Sequence, residues 1–119
     1  MNRPSNNFRI TLLSKPTSCI RHKFYDEICT ALDQDHPLGY DYNLLGEYIG
    51  LKKGKVAMLS QNGNPTKLLM QTLDTQKDGT IRRFKEILEK MDRHDVLLII
   101  EDWIKHEWND PQRINKLVF

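Results

Sequence analysis

The sequence has few cysteines and no long hydrophobic segment. Its 119 residues include two cysteines, too few for the disulfide framework of a small secreted domain, so we expect a reducing compartment. The longest uninterrupted apolar run, Val96 to Ile100, has five residues, whereas a membrane-spanning helix needs about 20. The polar N-terminal residues lack the apolar core of a signal peptide. Together these absences predict a cytoplasmic location and no membrane insertion.

Motifs of catalysis are also missing. The six glycines are scattered and form no phosphate-binding loop, and neither cysteine has the polar context of a nucleophile. A zinc site is conceivable because Cys19, His22, Cys29 and His36 lie within eighteen residues. However, Cys29 lies beside the apolar stripe of a predicted helix, where a cysteine usually behaves as a small hydrophobic residue. We therefore expect no enzyme activity, no small-molecule substrate, no metal and no cofactor.

Charge is distributed in blocks along the chain, although the net charge is only +2. Residues 1–25 and 52–90 are basic and residues 91–110 are acidic, while residues 26–51 contain six carboxylates and neither lysine nor arginine. Opposite patches of this kind favour head-to-tail pairing of similar domains. An ordinary mixed, solvated surface would have the same composition. The acidic blocks would repel nucleic-acid phosphates.

Apolar periodicity and turn signals predict an all-α fold. They indicate six helices, over about residues 18–34, 41–49, 53–60, 65–76, 81–91 and 94–108. Short connections favour antiparallel neighbours, and hence a compact six-helix bundle. The alternation of Phe8, Ile10 and Leu12 instead suits an extended segment that packs on the helices or ends a preceding domain. We therefore predict three regions: an extended N-terminal arm (1–18), a helical domain (19–108) and a C-terminal tail (109–119).

The most informative segment encodes one complete short helix. Asp41 is a good N-cap, because its carboxylate accepts a backbone hydrogen bond and suits the positive end of the helix. Tyr42, Leu45 and Ile49 lie on one face at i, i+3 and i+7. Gly50 occupies the position at which a left-handed residue ends a helix.

This segment resembles the signature of death domains, in which an Asp-Trp pair opens the second helix and a Leu-Gly pair ends it. Here Tyr42 replaces the Trp and Ile49 replaces the Leu, and Leu73 stands where another Trp is common. Four further motifs extend the resemblance over about residues 20–104: Lys55-Val56 with Met58-Leu59, Asn64-Pro65-Thr66 with Leu68-Leu69, Gly79-Thr80-Ile81 with Phe84 and Leu88, and Met91 to Val96. Residues 21–32 are most similar to the membrane-distal death domain of netrin receptors and their relatives.

The resemblance implies a six-helix bundle with Greek-key topology that catalyses nothing. It implies homotypic binding to other death domains in intracellular signal transduction, such as apoptosis or innate immunity. The chain would then be a cytosolic adaptor or the intracellular part of a receptor.

The resemblance also implies charged binding residues at two asymmetric contacts. The first, between the third helix and neighbouring loops of a second domain, would join Lys52, Lys53 and Lys55 to Asp33 and Asp35. The second, between the fourth helix with its following loop and the junction before the sixth helix, would join Lys67 and Lys77 to Asp92 or Asp95. Two further candidates on the basic surface are Arg82 and Arg83.

A small helical nucleic-acid-binding domain is the alternative function. It would use two basic clusters: Lys52, Lys53 and Lys55, and Arg82, Arg83 and Lys85. The helix that would enter the groove continues after Lys55 with Val56, Ala57, Met58 and Leu59, whose side chains form few specific contacts with base edges. The sequence therefore favours protein binding over nucleic-acid binding.

Overall fold

The structure is a computed structural model that describes residues 6–61 and 63–110. Within these residues every regular element is helical. The elements are α1 (Asn6–Leu13), a 3₁₀ turn (Thr17–Cys19), α2 (His22–Asp33), α3 (Tyr42–Tyr48), α4 (Lys53–Ser60), α5 (Pro65–Asp74), α6 (Ile81–Lys90) and α7 (His94–Trp108). Helices α2 to α7 correspond to the six predicted helices, so the predicted all-α class is confirmed. The predicted tail lies outside the described residues from position 111 onward.

The extended arm predicted at the N-terminus is wrong in its conformation, because residues 6–13 form helix α1. Phe8 and Leu12 are four residues apart and therefore share one face of a helix. Leu12 is fully buried, and the ring of Phe8 packs edge-on against Trp108 with centroids 5.1 Å apart. Arg9 donates two hydrogen bonds to the Glu101 carboxylate, at 2.9 and 3.1 Å. The expectation that this segment packs on the helices is confirmed.

Helix α2 begins at His22, four residues later than predicted, because a carboxylate from α5 holds the preceding chain in a different conformation. Asp74 accepts hydrogen bonds from the backbone N–H and the hydroxyl of Thr17, at 2.7 and 2.8 Å. It also accepts one from the backbone N–H of Ser18, at 3.1 Å. The 3₁₀ turn is therefore anchored to α5 before α2 starts.

The core lies between α2, α5, α6 and α7. Its largest fully buried side chains include Ile28, Leu69, Leu73, Phe84, Leu88, Ile100 and Trp103. Their burial agrees with the apolar periodicity that predicted the helices. None of the helices in the described ranges is long and apolar enough to cross a bilayer.

One carboxylate of the acidic C-terminal block is buried in this core. The Glu107 side chain is fully buried and accepts hydrogen bonds from Arg21 Nε at 2.8 Å and from Trp103 Nε1 at 3.1 Å. The hydrogen bond to Glu107 raises the pKa of Arg21 above its ordinary value. Glu107 therefore joins α2 to α7 and is not part of the acidic surface.

Candidate interaction surface

The three lysines at the start of α4 form an exposed basic patch. Lys52 is the N-cap residue, and Lys53 and Lys55 lie in the first turn. In the described part of the chain no carboxylate pairs with any of them, and the N-cap forms no side-chain hydrogen bond. The N-terminus of a helix already has a partial positive charge, so lysines there are unfavourable for the isolated domain. A partner that brings carboxylates to this patch would relieve the repulsion.

Helix α4 contacts α3 and α5, but few of its side chains are buried. Val56 is its one buried side chain among the described residues, and Leu59 is half-buried. Val56 packs on α3 at Gly46, where a methyl group would overlap Val56 Cγ2 and lie 3.3 Å from Cγ1. The absence of a side chain at Gly46 therefore permits the close approach of the two helices. Residues 53–55, 57 and 58 of α4 are exposed to solvent.

The loop between α2 and α3 is acidic and well ordered by hydrogen bonds. Asp41 caps α3 by accepting from the backbone N–H of Asn43, and its other oxygen accepts from the backbone N–H of His36, each at 3.0 Å. The rings of His36 and Tyr40 stack with centroids 5.2 Å apart. Asp35 is exposed on this loop and has no partner among the described residues. The backbone next to Asp35 is held by the hydrogen bond from His36 to Asp41, and the Asp35 carboxylate is open to solvent.

Arg93 fastens the same loop to the junction between α6 and α7. Its guanidinium donates to the carbonyl oxygens of Tyr40, at 2.7 Å, and Ala31, at 3.2 Å. It also donates twice to the Asp95 carboxylate, both at 2.9 Å. The hydrogen bond from Arg93 is the main reason that the pKa of Asp95 lies below its ordinary value. Asp95 thus already has an internal partner.

A second predicted acidic residue, Asp33, is also occupied inside the domain. Its side chain is half-buried, and its Oδ1 accepts a hydrogen bond from the backbone N–H of Thr66 at 2.9 Å. Asn64, the N-cap residue of α5, forms no side-chain cap hydrogen bond, so Asp33 supplies a cap from a distant part of the sequence. Pro65 at the first helical position was the sequence signal of a helix start, but it gave no sign of this partner.

In the predicted second basic cluster, one residue is exposed and the other two are half-buried and pair with carboxylates of the same domain. Arg82 is exposed. Arg83 donates to Gln76 and to Asp78, the latter at 2.9 Å, and Gln76 in turn donates to the Ile49 carbonyl at 2.8 Å. Lys85 pairs with Glu101 at 3.4 Å, and Glu101 also pairs with Arg9, at 2.9 Å. The cluster therefore stabilises the bundle, which weakens the case for a nucleic-acid groove.

The residues of the second predicted contact lie at the surface. Lys67 and Lys77 are exposed and have no ion-pair partner in the described ranges. Asp92 is exposed, has a positive φ of 58°, and pairs with His94 at 2.8 Å. An exposed pair of this kind contributes little and exchanges readily with another partner.

The two cysteines are free thiols that differ in burial. Cys19 is buried and Cys29 is half-buried, with its pKa raised to about 12 by burial and by the charges of Asp33 and Asp26. Among the residues that the structure describes, no three His, Cys, Asp or Glu side chains are placed to hold a metal ion.

The described residues form an all-α bundle, and α4 has unpaired lysines at its N-terminal end. The death domain family model matches residues 25–104, and the chain belongs to the death domain family. It is therefore a protein–protein interaction domain with the death fold, as the motifs implied. Neither a curated protein nor a solved structure matches the chain. The netrin-receptor-like subgroup stays a prediction.

Proposed function

We propose that this domain assembles with other death domains, including copies of itself, in cytoplasmic signal transduction such as apoptosis or innate immune signalling. The observation that carries the proposal is the exposed, unpaired basic patch of Lys52, Lys53 and Lys55 at the start of α4, in a chain that belongs to the death domain family. A signalling adaptor of this kind acts by bringing its partners together and requires no catalytic group.

In the first contact that we propose, the basic patch of one domain meets Asp35 of the next. A shallow groove of about 420 Å³ separates α4 from the loop between α2 and α3, with Lys53 on one side and Leu38 on the other. A neighbour that covers this groove would reach both the basic patch and the acidic loop. Because Asp33 caps α5, we assign the acidic role in this contact to Asp35.

In the second contact that we propose, Lys67 and Lys77 meet Asp92 of a neighbour. Each exposed ion pair is worth only about 0.2–1 kcal/mol and is screened by salt. Stable assembly therefore requires several such contacts in a repeating array, or partners that are already clustered. The proposal accordingly implies association that rises with concentration and falls with salt.

The test is charge reversal at Lys53, followed by light scattering coupled to size exclusion at low and high salt. Lys53→Glu removes an attraction and adds a repulsion, so we expect association to weaken roughly 3- to 30-fold. The folded state should not suffer, because a carboxylate in the first turn favours a helix by about 0.3–1 kcal/mol. Lys23→Glu is the matched control, since Lys23 is an exposed lysine in the first turn of α2.

Asp35→Lys should weaken association as Lys53→Glu does, and the two variants mixed together should recover part of the loss. Asp33→Lys is a poor partner variant because it removes the cap of α5. Equal association of Lys53→Glu and Lys23→Glu would contradict the proposed contact. A strict monomer at every concentration and salt would contradict self-assembly.

A further inference from the structure

Two long apolar side chains are exposed on helices of the domain, each one turn from an exposed charged residue. The exposed fraction is 63% for Met58 on α4 and 64% for Leu98 on α7. Because both remain about two-thirds exposed, neither covers the other within one molecule. Met58 lies near the end of α4, and Leu98 lies on the solvent side of α7, opposite the buried Ile100 and Trp103.

The charges that flank these two side chains have opposite signs. Lys55 lies one turn before Met58 and has no carboxylate partner in the described ranges. Asp102 lies one turn after Leu98, is exposed, and likewise lacks a cationic partner among the described residues. The other carboxylates near Leu98 are occupied, since Asp95 pairs with Arg93 and Glu101 pairs with Arg9 and Lys85. Asp102 is thus the acidic group available to a partner.

We propose that α4 of one copy packs antiparallel on the exposed face of α7 of a second copy, with Met58 against Leu98 and Lys55 against Asp102. The proposal rests on the proposed self-association and adds a contact with an apolar centre to it. Antiparallel packing follows from the order of the residues, since Lys55 precedes Met58 whereas Asp102 follows Leu98. Residues three or four apart on a helix are neighbours, so both pairs fit one crossing.

Such a contact is heterologous, because it joins two different surfaces. Each copy in a dimer would retain one unused α4 and one unused α7 face, so the contact extends into an open chain unless the rotation closes a ring. An apolar centre with a charged rim is the usual arrangement of protein interfaces, in which a few central side chains contribute most of the affinity. Met58 and Leu98 would be those side chains here.

Site-specific crosslinking tests the contact even when association is weak. Met58→Cys and Leu98→Cys proteins are mixed with a short bis-maleimide, and the crosslinked dimer is quantified by mass. The matched control replaces Leu98→Cys with Ile10→Cys, since Ile10 is also an exposed apolar residue in mid-helix (54% exposed). The native thiols interfere little, because Cys19 is buried and the pKa of Cys29 is raised to about 12.

We expect the Met58–Leu98 pair to crosslink roughly tenfold more than the Met58–Ile10 pair, because a central apolar contact holds the reacting groups together. In chains without the added cysteines, Met58→Ser and Leu98→Ser should each weaken association roughly tenfold. Equal yields from the two mixtures would overturn the proposal. If Lys53→Glu nevertheless weakens association, this inference alone fails; if no association is found at all, the proposed self-assembly fails with it.

Charge exchange provides an independent check on the orientation. Lys55→Asp and Asp102→Lys should each lower the yield of the Met58–Leu98 crosslink, and the combination of one in each partner should restore it. Glu89→Lys, an exposed reversal on α6, is the control for general charge effects. If the crosslink yield stays low when Lys55→Asp in one partner is combined with Asp102→Lys in the other, the Lys55–Asp102 pairing is overturned.

Discussion

The contact between α3 and α4 makes Gly46 the position at which a small change should have the clearest effect. Gly46 is buried in the interior of α3, and its φ is not in the left-handed region, so an alanine there is compatible with the backbone. Alanine is a better helix former than glycine by about 1 kcal/mol. Helix propensity alone therefore predicts that Gly46→Ala stabilises the domain.

Packing predicts the opposite sign. A methyl group at position 46 would overlap Val56 Cγ2 and crowd Cγ1. Valine in a helix has one strongly preferred rotamer, so Val56 has no inexpensive way to rotate out of contact. Overpacking of this kind costs about 1–3 kcal/mol. After subtraction of the gain in propensity, we expect a net loss of roughly 1 kcal/mol, together with displacement of α4.

Urea unfolding followed by circular dichroism measures this loss. Gly54→Ala is the matched control: Gly54 lies in α4, and an added methyl group would meet no atom within 4 Å, so we expect no loss of stability there. Val56→Ala should relieve the overlap. The loss of unfolding free energy in the double variant should therefore be about 1 kcal/mol smaller than the sum of the losses in the two single variants. If Gly46→Ala is at least as stable as Gly54→Ala, the argument from close packing is refuted.

Two further predictions concern the buried polar contacts. Arg93→Met should lower the free energy of unfolding by about 2–3 kcal/mol, because the carbonyl oxygens of Tyr40 and Ala31 lose a charged donor; Arg93→Lys should recover only part of the loss in the same urea assay. Burial raises the pKa of Glu101, but Arg9 and neighbouring Lys85 outweigh it and leave the pKa below its ordinary value. The ionised form is therefore stabilised in the folded state, and its contribution is present above about pH 4.3 and is lost as the pH falls through the lowered pKa. Unfolding at pH 7 and pH 3 should show a smaller acid loss for Glu101→Gln than for the native chain; equal losses would contradict the prediction.

Local signals were sufficient to predict α2 to α7 because each is encoded within a few residues. Asp41 was predicted as a cap, and it accepts the expected hydrogen bond from the backbone at the start of α3. Thr80 caps α6 in the same way. Gly50 was predicted to end α3, and its φ of +91° confirms this. The burial of Ile81 and Phe84 agrees with the apolar periodicity that predicted α6. These features depend on neighbours in sequence, which periodicity and capping rules describe well.

The N-terminal segment was predicted wrongly because its pattern fits two structures. Apolar residues at 8, 10 and 12 alternate as in a strand, yet 8 and 12 are also one helical turn apart. The contacts with Trp108 and Glu101 favour the helix, and both partners are more than 90 residues away in sequence. A short segment with no strand to pair with takes the conformation that its packing partners favour.

The candidate site was only partly predictable, because a sequence gives the charge of a residue and not its partner. Asp33 caps a helix that begins 32 residues later, and Arg83 donates to Gln76 and Asp78 in the turn between α5 and α6. Glu107 is fully buried. All three were counted with the surface charges from sequence alone. Conversely, the exposure of Leu98 could not be read from a run of five apolar residues, four of which are buried or half-buried.

When charges that are already paired within the domain are left out of account, the unpaired lysines of α4 indicate a binding surface better than the net charge of the chain does. This helix has lysines at its positive end and one buried side chain among those described, so its own interactions hold it weakly. Its packing on Gly46 compensates for part of that weakness. A partner that supplies carboxylates at this end would bind the helical form in preference to the frayed one, and binding would therefore stabilise α4 itself. In the contact that we propose, folding of the helix and recognition of the partner would therefore be linked.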